Sequence, residues 1–166
     1  YHNQQQGVYV NLSQLSFVIL LASPSLAATA SSLSCPDLAS AVQVNACPSE
    51  EELQYTYTGY CSDNAKAYAN ETDSCVRYAD YRKMKNVARW ESADGVFDGY
   101  VSCDLPAEKF KALKASGMKV IRQGKLNKLV CSYPNEISLT YRTKGACVVD
   151  EKACAADPAN CRATCD

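Results

Sequence analysis

The chain has 166 residues, 21% of them charged, a formal net charge of −1, ten cysteines and one histidine. The near-neutral total argues against nucleic acid, whose binders carry a basic footprint. The histidine, His2, lies in a stretch that reads as removable. Without it there is no Ser-His-Asp or Cys-His nucleophile pair, no imidazole zinc ligand and no histidine switch near neutral pH.

The first thirty residues contain no Lys, Arg, Asp or Glu. Their apolar run, Phe17 to Ala22, is far shorter than the roughly 20 residues a bilayer span needs. Pro24 and small residues follow. This layout reads residues 1–27 as a signal peptide with upstream residues, cleaved after Ser25-Leu26-Ala27. Ala28-Thr29-Ala30 is the second choice. The stretch before the apolar run lacks positive charge, and no Met precedes Met84. The expectation is therefore a true start further upstream, or extra translated residues preceding the signal. Lipidation of Cys35 is disfavoured, because Ser32 stands where such signals carry leucine.

Cleavage before Ala28 leaves 139 residues with all ten cysteines. An even cysteine count behind an export signal reads as a disulfide framework in an oxidising compartment. Cys35, Cys47, Cys61, Cys75, Cys103, Cys131, Cys147, Cys154, Cys161 and Cys165 are all assigned to disulfides, with the connectivity open. No C-x-x-C motif exists, which argues against a thioredoxin-like centre. Cys161 and Cys165 are spaced like half a zinc site, but Cys147 and Cys154 are not, so no metal is expected.

"CPSEEELQYTYTGY" offers a helix cap at Ser49 followed by acids. Tyr55 to Thr58 then favour extended structure, so a short turn and a strand are expected. "SDNAKAYANETDSCVRYADYRKMK" is helical in composition, with Ala65, Tyr68, Ala69 and Cys75, Tyr78, Ala79 at helical steps and a break near Asn70-Glu71-Thr72. That triplet is also a glycosylation sequon. Val87 to Glu91 and Val96 to Cys103 form a hairpin around Asp94-Gly95. A short helix follows, with Pro106 in its first turn and Gly117 ending it. Three or four more strands come next, with turns at Gly124, Pro134-Asn135 and Lys144-Gly145. The expected class is α+β: an antiparallel sheet of about five strands, a few short helices, and disulfides throughout. Residues 28–149 are expected as one domain. Residues 150–166 are expected as a cysteine-rich tail, with a bridge inside it and another fastening it to the domain.

Charge is uneven. Residues 28–76 carry a net of −6, residues 77–128 a net of +6, and residues 129–166 a net of −1. The plain reading is that the two blocks face each other or scatter over a solvated surface. The sharper one gathers Arg77, Arg82, Lys83, Lys85 and Arg89 into a patch for an anionic partner such as a polysaccharide or a lipid head group. Glu91, Asp94 and Asp98 cluster near the hairpin turn. Paired acids serve glycoside hydrolysis, but Asp-Gly is ordinary turn chemistry, and no catalytic residue is assigned. The spacing in "DGVFDG" also lacks the ligand pattern of a calcium loop. Among the aromatics, Tyr55 and Tyr57 would share a strand face, and Trp90, Tyr100, Tyr133 and Tyr141 lie on neighbouring strands.

"ARWESADGVFDGYVSC" and "KLNKLVCSYPNEISLTYRTKGACVV" resemble small secreted proteobacterial β-rich domains without assigned activity. The shared positions are Trp90, Gly95, Phe97, Gly99, Tyr100, Leu129, Cys131, Tyr133 and Cys147, within Arg89 to Val149. The resemblance implies export and a β-rich domain, and no catalytic residues. Cys154, Cys161 and Cys165 fall outside it. The resulting expectation is a secreted or periplasmic binding domain with no catalytic role and no cofactor. It has no membrane span after cleavage, and its partner is a protein or an envelope component. Glycan binding is the alternative, and a hydrolase using Asp/Glu comes third. The expected contact residues are Trp90, Tyr100 and Tyr133, with Arg82, Lys83, Lys85 and Arg89 beside them.

Overall fold

A computed structural model describes residues 31–62 and 73–166. Its first helix, α1 (Glu50–Cys61), starts at a reciprocal cap. Ser49 Oγ accepts the Glu52 N–H at 3.2 Å, and Glu52 accepts the Ser49 N–H at 2.7 Å. Three acids in the first turn face the positive end of the helix dipole. The strand expected at Tyr55 to Thr58 is therefore helix instead. Thr56 and Thr58 satisfy their hydroxyls on carbonyls one turn back, Glu52 at 2.7 Å and Gln54 at 3.1 Å. Tyr57 packs edge-on against Tyr78 and Tyr81, with ring centroids 5.3 and 5.2 Å away. Those contacts outweigh the local preference for extended backbone.

The next helical stretch is described in two pieces, α2 (Asp73–Val76) and α3 (Tyr78–Lys85). Arg77 between them is extended, with φ −136° and ψ 134°. The break and sequon expected at Asn70 to Thr72, and Ala65, Tyr68 and Ala69, lie outside the described residues.

Nine strands among the described residues form two antiparallel sheets, where about five strands in one sheet were expected. The larger sheet has the order β2 (Val42–Gln43), β3 (Val87–Glu91), β4 (Asp98–Ser102), β7 (Ser138–Thr143), β6 (Leu126–Ser132), β5 (Gly117–Gln123). The hairpin and turn expectations hold there. Gly95 and Gly124 take φ +71° and +61°, the left-handed backbone that glycine adopts without a Cβ penalty. Val96 and Phe97 belong to the hairpin loop rather than to the strand. Phe97 is buried there, and its N–H donates to Ser92 Oγ at 2.9 Å. The short helix α4 (Ala107–Lys111) stops at Lys111, with Pro106 as its N-cap. Gly117 opens β5 instead of ending the helix. The intervening Leu113 and Ala115 pack on the core.

The smaller sheet has the order β1 (Ser31–Ser34), β9 (Arg162–Cys165), β8 (Cys147–Val149). The stretch expected as a stapled tail thus supplies its middle strand, after a helix, α5 (Glu151–Ala156). Ala163 and Cys165 point into the same core as Ala88, Trp90, Val101, Leu129, Cys131 and Leu139 of the larger sheet. Phe110 of α4 and Leu38 of a 3-10 turn (Leu38–Ser40) complete that core. Five disulfides fasten it: Cys35–Cys131, Cys47–Cys103, Cys61–Cys75, Cys147–Cys165 and Cys154–Cys161. The first three are nested one inside the next, and the last is nested inside the fourth. No two bridges cross. No helix among the described residues is long and apolar enough to cross a membrane.

The close approach of β7 to β4 depends on Gly99. A Cβ at that position would run into the backbone carbonyl of Ser138. Gly99→Ala is expected to destabilise the fold by about 1–3 kcal/mol, the range for forced overpacking. A lowered urea midpoint with an unchanged slope checks this.

Candidate binding surface

Strand alternation divides the larger sheet into two faces. Ala88, Trp90 and Val101 face the core, so Arg89, Glu91, Asp98 and Tyr100 face outward. The register then assembles rows across the outer face. Arg89 lies opposite Tyr100, and the Val44 N–H donates to the Arg89 carbonyl at 2.8 Å. In the next row, Val42 lies opposite Glu91, Glu91 opposite Asp98, and Asp98 opposite Thr140.

Charge on this face is internally paired. The Arg89 guanidinium meets Glu91 at 2.9 Å and Asp98 at 3.0 Å, and Arg142 meets the other oxygen of Asp98 at 2.8 Å. Such exposed pairs contribute about 0–1 kcal/mol each. Their effect is mainly to hold the long side chains in place. Asn45 Oδ1 accepts the Arg89 backbone N–H at 2.7 Å and pins the edge strand beside it. Around this ladder stand Tyr100, 67% exposed, and Val42 and Val44, each at least half exposed. Both valines were missed in the sequence. The Val-Gln-Val alternation was the available signal, but a two-residue strand gives it no length.

The seven residues expected at the contact face divide three ways. Tyr100 and Arg89 are neighbours on the outer face. Trp90 is on the other side, 6% exposed, with its ring 4.6 Å from that of Phe110. Tyr133 is 3% exposed, and its hydroxyl donates to the Pro36 carbonyl at 2.7 Å. Burial, helped by the charge of Asp37, raises its pKa above the ordinary phenol value. Trp90 and Tyr133 are therefore core residues and offer no contact surface. Arg82, Lys83 and Lys85 are on α3. Arg82 reaches Asp104 at 2.9 Å and Glu50 at 3.0 Å, and these bonds hold its pKa above the usual arginine value. Glu50 also accepts the Tyr78 hydroxyl, and its pKa is lowered by that bond and by Arg82. Burial and the same bond push Tyr78 up to about 12. Arg82 thus clamps α1, α3 and the loop after β4 together. Lys83 is exposed, and Lys85 lies 5.2 Å over the Tyr60 ring.

The three acids near the hairpin have separate structural roles. Asp94 accepts from Ser92 Oγ and from the Val96 N–H, and both bonds lower its pKa. Glu91 and Asp98 both hold Arg89. Among the described residues, no cluster of three or more His, Cys, Asp or Glu side chains is arranged to hold a metal ion. A cleft of about 710 Å³ separates β1 from α5 and the following turn. Its charged side chains are engaged within the protein: Lys114 with Asp37 at 3.2 Å, Arg162 with Asp150 at 3.3 Å, and Asp157 with the Ala159 N–H at 3.0 Å.

Comparison with protein families, curated proteins and solved structures gives no match for this chain.

Proposed function

We propose that the chain is an exported, disulfide-locked binding domain that acts on no substrate and presents the outer face of β2, β3 and β4 to a protein or envelope component. The observation that carries this reading is the arrangement of Val42, Val44 and Tyr100 around the ordered Glu91–Arg89–Asp98–Arg142 ladder. An exposed aromatic beside a fixed arginine matches the residue types that dominate protein interfaces. The five disulfides support folding in an oxidising compartment. The signal read over residues 1–27 supports export, and a chain beginning at Ala28 keeps β1 whole. Trp90 and Tyr133 lie in the core, so Tyr100 is left as the one exposed ring of the three for a sugar to stack on. That favours a protein partner over a glycan.

The test uses the oxidised domain, residues 28–166, as bait in an envelope extract from its own source. A partner captured by the parent domain is expected to bind about thirty-fold more weakly to Tyr100→Ala, the loss of a hot-spot residue. Lys83→Ala is expected to bind like the parent. Equal capture by Tyr100→Ala and a Val44→Asp variant would show that this face is not the contact.

A further inference from the structure

The β5–β6 hairpin carries a second surface that the ladder does not use. From Gly117 to Asn135 there are four basic residues, Lys119, Arg122, Lys125 and Lys128, and no acid. The register places Ile121 opposite Lys128 and Gln123 opposite Leu126, so the hairpin turn falls at Gly124-Lys125. The next turn lies against it. Asn127 is paired with Thr143, and its side-chain amide donates to the Gly145 carbonyl at 2.8 Å, which brings Lys144 to the same end of the sheet. These five cations make no ion pair with any described residue, whereas Arg142, one strand further in, is neutralised by Asp98. One acid, Glu136 in the turn after β6, lines the same shallow hollow as Lys119, Ile121 and Lys128, but it pairs with none of the five.

Two aliphatic side chains share the tip. Ile121 is 42% exposed and Leu126 37% exposed, both on the outer face of the sheet. The hairpin displays no aromatic ring and no carboxylate. Unpaired cations around exposed aliphatics are the chemistry of a surface that is anionic outside and apolar just beneath. A sulfated polysaccharide would use the cations and leave Ile121 and Leu126 without a role.

We propose that the tip of the β5–β6 hairpin docks on an anionic lipid surface. Lys125 and Lys128 meet the head groups, with Lys119 and Lys144 flanking them, and Ile121 and Leu126 enter the acyl boundary. Arg122, on the other face of the hairpin, adds only its charge to the local field. Each basic residue near such a surface strengthens partitioning about fivefold. The attraction weakens as salt shortens the Debye length. This surface is separate from the Tyr100 face and stands or falls without it.

The experiment is sedimentation of the oxidised domain with vesicles of phosphatidylcholine containing a third phosphatidylglycerol, against phosphatidylcholine alone. Binding is expected to the anionic vesicles only, weakening as salt is raised. Lys125→Gln with Lys128→Gln is expected to weaken it about thirty-fold. Ile121→Ser with Leu126→Ser is expected to weaken it at unchanged charge. Tyr100→Ala is expected to bind as the parent does. All these positions are exposed or half-exposed, and intact disulfides with unchanged circular dichroism confirm the fold of each variant. The proposal is overturned by absence of binding to anionic vesicles. It is also overturned by retention on a sulfated polysaccharide column that ignores Ile121 and Leu126, with no vesicle binding.

Discussion

Replacing Cys35 and Cys131 together by alanine is expected to lower the free energy of unfolding by about 4 kcal/mol. The bridge closes a span of 96 residues. With Cys47–Cys103 intact, the unfolded chain has a shorter route between the two ends. It runs twelve residues to Cys47 and 28 onward from Cys103, a loop of 40. A loop of that size gives the figure of about 4 kcal/mol, against about 4.7 for a single loop of 100 residues. Cys131 is also fully buried in the core, so its sulfur is lost from packing as well. Urea unfolding of the double variant is expected to show a midpoint lower by about 2 M. A shift below about 0.5 M would mean that the other four bridges already restrain the unfolded chain fully.

Phe110→Ala is expected to cost about 3–5 kcal/mol, the range for a large aromatic removed from a core. Phe110 has no exposed surface, and its ring lies against Trp90. It is carried by α4, a helix of five residues. So short a helix has no stability of its own, and packing of this side chain holds it in place. Thermal unfolding is expected to fall by about 10–15 °C for a chain of this size. Trp90 is the sole tryptophan, so its emission reports the same event directly. It should shift to the red as the cavity admits water. Tyr55→Ala, at an exposed position on α1, is the control and should stay within about 0.5 kcal/mol of the parent.

The parts of this fold that could be read from sequence are those set by local chemistry. Asp94-Gly95, Gly124 and Lys144-Gly145 each impose a turn that only a few residue types accept, so β3 to β7 followed in order. Helix α1 was misread because Tyr-Thr-Tyr-Thr favours extended backbone. The packing of Tyr57 against Tyr78 and Tyr81, from a helix about twenty residues away, was not visible. Strands β1, β2 and β9 are two to four residues long, and β1 meets β9, and β2 meets β3, only across long stretches of chain.

The binding surface shows a different limit. Trp90 and Arg89 are adjacent on one strand, and adjacent side chains point to opposite faces. They could not both have lined one surface, and that much was present in the sequence. The remaining choice, which of them faced inward, depended on Phe110 and Leu38 arriving from elsewhere. Charge behaved similarly. Arg82 pairs with Glu50 and Lys114 with Asp37, so the acidic and basic blocks partly face each other. The plain reading of the charge pattern accounts for those residues. The hairpin cations remained after such pairs were made, and only the structure separates the two groups.

Nested bridges have a consequence for the order in which the chain is made. Cys35 and Cys47 emerge first, and neither is the other's native partner. At about 5–20 residues per second, Cys131 follows Cys35 by about 5–20 s, since 96 residues separate them. Cys75 follows Cys61 by about 1–3 s at the same rate, over 14 residues. The innermost bridge is therefore the first native one available, and oxidation proceeds outward from it. A premature Cys35–Cys47 bond must be reopened by thiol–disulfide exchange before Cys35 can join Cys131 and Cys47 can join Cys103. Until that bond opens, neither Cys103 nor Cys131 can close its native bridge, so the outermost staple is the one most exposed to mispairing.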